Sequence, residues 1–109
     1  MLAGLRSVTI YVTLIPVAIK SFRHKGLEQF FVTGTKRGIQ AKHDDRLRLI
    51  LGTLNAATNP QDMNLPGLGL HGLQGARKGT WAVKVSGNWR LVFKQEGDDM
   101  ELVDYLDYH

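Results

Sequence analysis

The chain closes on three residues whose side chains could move protons and bind phosphate: Asp107, Tyr108 and His109. Cleavage of RNA without a metal ion needs one group that takes the proton from the 2′-hydroxyl and another that protonates the departing 5′-oxygen. It also needs cations that stabilise the extra negative charge on the phosphorane. Histidine suits both proton roles because its ordinary pKa of about 6.5 lies near neutral pH. The triplet therefore suggests acid–base chemistry on a phosphodiester.

A second histidine, His71, lies in a glycine-rich segment from residue 64 to 79, where the backbone can approach a ligand closely. Asp107 and His109 share a strand face at their spacing of two, so the carboxylate could orient the imidazole. The candidate phosphate-binding cations between the histidines are Arg77, Lys78, Lys84, Arg90 and Lys94. The ordinary alternative is that a loop histidine is a surface group and a terminal histidine is inert.

Several other kinds of site are excluded by the sequence. It contains no cysteine, which removes disulfides, thiolate zinc sites and a cysteine nucleophile. The remaining histidines, His24 and His43, form no H-x-x-x-H pair with each other or with His71 and His109. The glycines at 67, 69 and 72 are not followed by the Lys-Ser/Thr of a Walker loop. We therefore expect no metal and no cofactor.

The charge is distributed unevenly along the chain. All 14 basic side chains lie at or before Lys94, whereas six of the ten acidic ones lie from Glu96 onward. A basic body is typical of proteins that bind polyanions, because phosphate neutralisation by Lys and Arg drives nucleic-acid affinity. Small basic domains can also be merely well solvated.

The first 17 residues are predicted to be an N-terminal extension outside the working protein, which would be a single domain over residues 18–109. The apolar stretch from Leu2 to Ile19 is broken by Pro16 and is shorter than the ~20 residues of a membrane helix. No A-x-A cleavage site precedes Lys20. We expect a cytoplasmic protein that does not bind membranes.

Periodicity predicts two helices followed by strands. Leu27, Phe30 and Phe31 have helical spacing over 25–32, and Gly34 can end that helix. A second helix is predicted over 41–54, with a buried stripe of Leu47, Ile50, Leu51 and Leu54 and an end at Thr58-Asn59-Pro60. Arg46 and Arg48 lie off this stripe and are predicted to be solvated.

From Trp81 the period changes to two. Strands are predicted on both sides of a Gly87-Asn88 turn, and a last strand from Met100 to His109 follows the turn at residues 96–99. Ile19 to Phe22 is a short strand-like entry. Helices followed by antiparallel strands predict an α+β domain.

At this point the chain resembles the HigB toxins of bacterial type II toxin–antitoxin pairs, a branch of the RelE/ParE superfamily. The residues that carry the resemblance span roughly 18 to 109: Ile19-Lys20-Ser21-Phe22, His24-Lys25-Gly26-Leu27, Leu70-His71-Gly72-Leu73 with Gly75, Gly79-Thr80-Trp81, Asn88-Trp89-Arg90-Leu91 with Phe93, and Asp107-Tyr108-His109. The Asn-Trp-Arg element and the C-terminal triplet, in this order, are the most specific of these.

The resemblance implies a RelE-like, microbial-ribonuclease-type fold with two N-terminal helices on a small antiparallel sheet. It implies an mRNA endoribonuclease that acts in the ribosomal A site of the 30S subunit and uses metal-free transesterification. The products would be a 2′,3′-cyclic phosphate or 3′-phosphate and a 5′-hydroxyl. The implied partner is a HigA-type helix-turn-helix antitoxin.

The resemblance assigns catalysis to His71, Asp107, Tyr108 and His109. It assigns phosphate binding to Arg90, with Asn88 near it. Some family members have a Lys shortly after the His71 position and a basic residue before the Asn-Trp-Arg element, where this chain has Gln74, Ser86 and Gly87. The missing charge would then come from Arg77, Lys78 and Lys84.

Two alternatives remain open from the sequence. One is a ParE-like toxin that shares the fold and inhibits gyrase by binding it, although His71 and the C-terminal triplet argue against it. The other is a non-enzymatic module that binds RNA or the ribosome, in which the histidines are incidental.

Overall fold

The first helix, α1, spans Lys25–Thr33 in a computed structural model that describes residues 18–75 and 79–108. Residues 1–17, predicted to be an extension, lie outside the described residues. His24 caps the helix, because its Nδ1 accepts a hydrogen bond from Leu27 N at 2.9 Å. Gly34 ends it in the left-handed conformation with φ of 82°, and its N–H donates to the Phe30 carbonyl. The predicted helix and its glycine stop are confirmed.

A 3₁₀ turn at Ala41–His43 leads into the second helix, α2, at Asp44–Asn55. The predicted stripe is confirmed, since Leu47, Ile50, Leu51 and Leu54 are all fully buried. The helix ends at Asn55, three residues before the predicted stop at Thr58-Asn59-Pro60. The predicted range of 41–54 is thus short by one residue at this end, and Asn59 and Pro60 begin a separate 3₁₀ turn at Pro60–Met63.

Within the described residues, four strands form one antiparallel sheet in the order β1-β2-β3-β4. They are β1 at His71–Gly72, β2 at Thr80–Ser86, β3 at Trp89–Glu96 and β4 at Asp99–Asp107. The Gly87-Asn88 turn joins β2 to β3 as predicted, with Gly87 at φ of 54°. Two helices and an antiparallel sheet confirm the α+β class.

The entry segment at residues 18–23 lies beside β4 in parallel, with bridges from Ile19 to Met100 and from Phe22 to Val103. Between these bridges β4 contains a bulge, where Leu102 has a φ of 53°. The Ser21 hydroxyl accepts from Leu102 N at 2.9 Å and fixes this conformation. The bulge brings Met100 and Val103, both fully buried, to the same core-facing side of the strand.

The sheet has two different faces. One packs on the helices and presents a buried row of Val83, Leu91 and Tyr105, one residue from each of three strands. The other face, which we name the open face, carries the residues between those of the buried row.

No described helix is long and apolar enough to cross a membrane.

Candidate active site

The open face is built from two rows of cross-strand neighbours. One row runs His71, Ala82, Val92 and Asp104 across all four strands, and the next runs Lys84, Arg90 and Leu106 across β2, β3 and β4. Ala82 and Val92 are buried and form a small apolar floor between polar side chains. Residues that pair directly across strands project to the same face. The fold therefore places a histidine and two cations together on one surface.

His71 is exposed and lies in the two-residue strand β1, opposite Ala82. Its neighbour Gly72 faces the other way, since a Cβ at Gly72 would contact the Trp81 ring at 3.7 Å. The Nδ1 atom of His71 lies 3.0 Å from the carbonyl oxygen of Gly69. Because a carbonyl can only accept, Nδ1 must carry the proton in this bond. The free nitrogen of the neutral ring is then Nε2.

Lys84 and Arg90 are cations on the same face of the sheet as His71. Lys84 is a diagonal neighbour of His71 through Ala82, a spacing that corresponds to about 7–8 Å between Cα atoms. Arg90 pairs directly with Lys84. The Arg90 Nη1 donates to the carbonyls of Gly87 at 2.7 Å and Trp89 at 3.0 Å. These bonds hold the guanidinium against the β2–β3 turn.

The C-terminal end of β4 meets the same turn. The Tyr108 N–H donates to the Asn88 carbonyl at 2.9 Å, so Asn88, Arg90 and Tyr108 come to one corner of the sheet. Asp107 pairs with Trp89 and lies two residues after Tyr105 on β4. It is therefore on the same side of the strand as Tyr105, the side that faces the helices. The structure therefore separates Asp107 from the row that carries Arg90. Three predicted site residues, Arg77, Lys78 and His109, lie outside the described residues.

Beneath this corner, on the helix side, lies an aromatic cluster of His24, His43, Trp89 and Tyr105. Trp89 stacks on Tyr105 with ring centroids 4.5 Å apart, and both histidines meet the Tyr105 ring edge-on. The His43 Nδ1 and the Tyr105 hydroxyl are 2.6 Å apart, and the same hydroxyl accepts from Gln40 N at 3.4 Å. The cluster fixes β3 at Trp89 and β4 at Tyr105, two residues before Asp107.

Burial governs the protonation of this cluster. His43 is only 3% exposed, and its Nε2 has no hydrogen-bond partner among the described residues. Burial, with a smaller contribution from the charge of Lys42, lowers the pKa of His43. Burial raises the pKa of Tyr105, and the charge of Asp107 adds to this rise. Both side chains are therefore neutral at pH 7 and are suited to packing.

Sequence patterns missed two features near the site. His43 was considered only as a possible metal ligand, yet it is a buried partner of Tyr105 that no periodicity marks. Arg46 was predicted to be solvated, which is wrong. It is half-buried, and its Nη2 donates to the carbonyls of Gly67 at 2.8 Å and Lys84 at 3.1 Å. Its position one residue before the buried stripe of α2 was the available signal.

No group of three or more His, Cys, Asp or Glu in residues 18–75 and 79–108 is arranged to hold a metal ion. The described part of the open face offers imidazole, ammonium and guanidinium groups together with the carboxylate of Asp104. Such groups can transfer protons, and the cations can bind a phosphate.

The chain is similar in sequence to known proteins. The sequence model of a family described as the RelE-like toxin of type II toxin-antitoxin system HigB matches residues 20–109. A curated relative, Endoribonuclease HigB of Proteus vulgaris, is 38% identical over 91 residues, which cover 84% of this chain and 99% of the relative.

Proposed function

Because the chain belongs to the family of RelE-like toxins of the type II toxin-antitoxin system HigB, we propose that it is the toxin of such a pair and an endoribonuclease that cleaves mRNA. One observation carries the proposal beyond the family: exposed His71 shares the open face with Lys84 and Arg90. This set supplies one of the two proton-transfer groups, and the phosphate-binding cations, that metal-free RNA cleavage requires.

His71 is proposed as the base. Its Nδ1 donates to the Gly69 carbonyl, so the lone pair of Nε2 can take the proton from the 2′-hydroxyl. The 2′-oxygen then bonds to phosphorus while the bond from phosphorus to the 5′-oxygen breaks. The products are a 2′,3′-cyclic phosphate and a 5′-hydroxyl, and no water is consumed.

The proton for the departing 5′-oxygen is proposed to come from the C-terminal triplet. His109 is the first candidate for this acid, with Asp107 orienting it and Tyr108 nearby, as the family resemblance implies. The hydrogen bond from Tyr108 N to the Asn88 carbonyl supports this assignment, because it ties the end of the chain to the turn beside Arg90. Asn88 would lie close enough to contact the nucleotide that Arg90 binds.

Lys84 and Arg90 are proposed to bind the reacting phosphate. Arg90 is already held at the turn by two carbonyls, which reduces the reorganisation needed when charge develops in the transition state. Arg77 and Lys78 are proposed as further phosphate ligands, since they follow the His71 segment in the sequence.

We also propose that cleavage takes place in the ribosomal A site in the cytoplasm and that the antitoxin is of the HigA helix-turn-helix type.

Mapping of the 5′ ends of cellular mRNA after a short pulse of expression tests the proposal. It compares the wild type with His71→Ala, with a chain that lacks His109, and with Gln61→Ala as a control at an exposed position in the 3₁₀ turn at Pro60–Met63. We expect cuts within translated frames for the wild type and the control and none for the other two. Growth arrest without cuts in any version would overturn it, and DNA-damage signalling would then indicate a gyrase-inhibiting toxin.

A further inference from the structure

The backbone that precedes His71 accepts a hydrogen bond from a side chain of α2. The segment from Gly67 to Gly69 lies along the outer edge of β2, where the Leu68 carbonyl accepts from Lys84 N at 2.7 Å. On the same stretch, one nitrogen of Arg46, Nη2, donates to the carbonyls of both Gly67 and Lys84. Arg46 thus clamps the loop and the strand to each other and to the helix.

The surroundings of Arg46 distinguish it from a surface cation. Its Nε is buried and has no partner among the described residues, and burial of an unpaired donor is unfavourable. The side chain contacts no described carboxylate in an ion pair, because the three ion pairs among the described residues involve other cations. Among the described residues, this half-buried cation is hydrogen-bonded to backbone carbonyls and to no carboxylate, so it is suited to fixing the position of the backbone.

The clamp bears directly on the chemistry of His71. Gly67 and Gly69 both have positive φ, at 85° and 56°, so the direction of each carbonyl depends on an unusual backbone conformation. The Gly69 carbonyl is the group that accepts from His71 Nδ1. If the segment shifts, this carbonyl turns and the imidazole can exchange to the tautomer with the proton on Nε2, in which Nε2 can no longer take a proton from the substrate.

We propose that Arg46 is a positioning residue for His71: it fixes Gly67–Gly69 against Lys84, so that Gly69 holds the imidazole with Nδ1 protonated and Nε2 free. This inference rests on the proposed function for its effect on RNA cleavage. The tautomer of the His71 ring can be observed without RNA, so the positioning role of Arg46 can be tested separately from the proposed function.

The test uses the full chain with Arg46→Met, which keeps the bulk of the stem but removes every donor, and Arg46→Lys, which keeps the charge and can reach at least one carbonyl. The matched control is Arg48→Met, two residues along α2, where Arg48 is exposed and pairs with Asp45 on the surface. Nitrogen chemical shifts of the His71 ring report the tautomer. Cleavage kinetics on ribosome-bound mRNA report kcat and KM.

We expect wild type and Arg48→Met to show a single tautomer with the proton on Nδ1. Arg46→Met should show a mixture and a fall in kcat of roughly 10- to 100-fold, since small displacements of a catalytic group cost this much, with KM little changed. Arg46→Lys should lie between. A loss of stability alone would leave the ring nitrogens and the kcat of the folded fraction unchanged.

Unchanged ring nitrogens in folded Arg46→Met or Arg46→Lys would overturn the inference, as would a wild-type ring with its proton on Nε2. If Arg46→Met does not fold, Arg46→Lys decides by the same shifts. A tautomer change in chains that do not cleave RNA would support the positioning role and contradict the proposed function. Cleavage that depends on His71, with unaltered ring shifts in both Arg46 variants, would support the proposed function and contradict the positioning role of Arg46.

Discussion

Two histidines on opposite sides of the sheet show how differently the same side chain can be used. His43 is buried on the helix side, bonded to the Tyr105 hydroxyl and packed edge-on against Trp89. His71 is exposed on the open face and bonded only to the Gly69 carbonyl among described residues. Burial lowers the pKa of His43 and keeps it neutral, whereas His71 is free to meet a substrate. Exposure and neighbouring cations, rather than residue type, mark the histidine suited to catalysis.

The largest expected effect is the loss of cleavage in His71→Ala. Removal of a general base slows a reaction by typically 10²–10⁴-fold. The free energy of unfolding should change by less than about 0.5 kcal/mol, because the residue is exposed. Cleavage kinetics and urea denaturation of the same preparations measure both. If a lower free energy of unfolding accounted for the lost activity, His71 would have a structural role like that of His43, and the contrast between the two histidines would fail.

A smaller effect is expected for the cation next to the base. Arg90→Gln should reduce the cleavage rate by about 10²-fold, the usual cost of losing one preorganised contact to the developing charge. Arg48→Gln on α2 is the control, since its side chain is exposed on the helical side of the molecule. Equal rates for Arg90→Gln and the control would remove Arg90 from the site.

Tyr105→Phe tests the buried side of the comparison. Without the hydroxyl, both Gln40 N and His43 Nδ1 lose their partner. Leaving buried polar groups unpaired should lower the free energy of unfolding by about 1–3 kcal/mol. The cleavage rate of the folded protein should stay unchanged. Urea denaturation measures the first quantity, and a lower rate at full folding would instead assign the aromatic cluster a role in catalysis.

The smallest effect is a pH dependence of stability that His43 introduces. Its pKa in the folded protein lies below the ordinary value of 6.5, so the unfolded chain binds the proton more readily. The stabilisation is therefore present above pH 6.5 and is lost as the pH falls through the lowered pKa. For Tyr105, whose pKa is raised above 10.0, stability is lost as the pH rises above that value.

Denaturant unfolding of wild type and His43→Gln between pH 5 and 8 isolates the contribution of His43. The wild type should lose stability relative to the variant as the pH falls. The change at Asp44 does not interfere, because its pKa is lowered from 3.8 by the hydrogen bond from Lys36 and it titrates in a more acidic range. Parallel curves would contradict this, because they would mean that the pKa of His43 is the same in the folded and the unfolded chain.

The helices and the hairpin turn could be predicted from the sequence because each is determined by residues that are close together in the chain. The stripe on α2, the Gly34 stop and the Gly87-Asn88 turn each depend on residues close together in the chain. The bulge at Leu102 was not readable, since it is fixed by the Ser21 hydroxyl 81 residues away along the chain. A distant partner of this kind leaves no periodic trace.

The site was readable in part. His71, Lys84 and Arg90 were identified by residue type and by the family resemblance, but their shared face follows from strand register, which alternation alone does not fix between strands. The same register places Asp107 on the helix side, in the phase of Tyr105. Arg46 was misjudged because a helix pattern shows which residues leave the core stripe and does not show which loop packs beside them.

The most direct measurement is the chemistry of the RNA ends that the purified protein leaves on ribosome-bound mRNA. Transesterification with His71 as base predicts a 5′-hydroxyl and a 2′,3′-cyclic phosphate or the 3′-phosphate that follows from it. It also predicts that both ends vanish in His71→Ala and persist in Gln61→Ala. Products with a 5′-phosphate and a 3′-hydroxyl would require water to attack the phosphorus while its bond to the 3′-oxygen breaks. That result would contradict a cleavage site on the open face built from His71, Lys84 and Arg90.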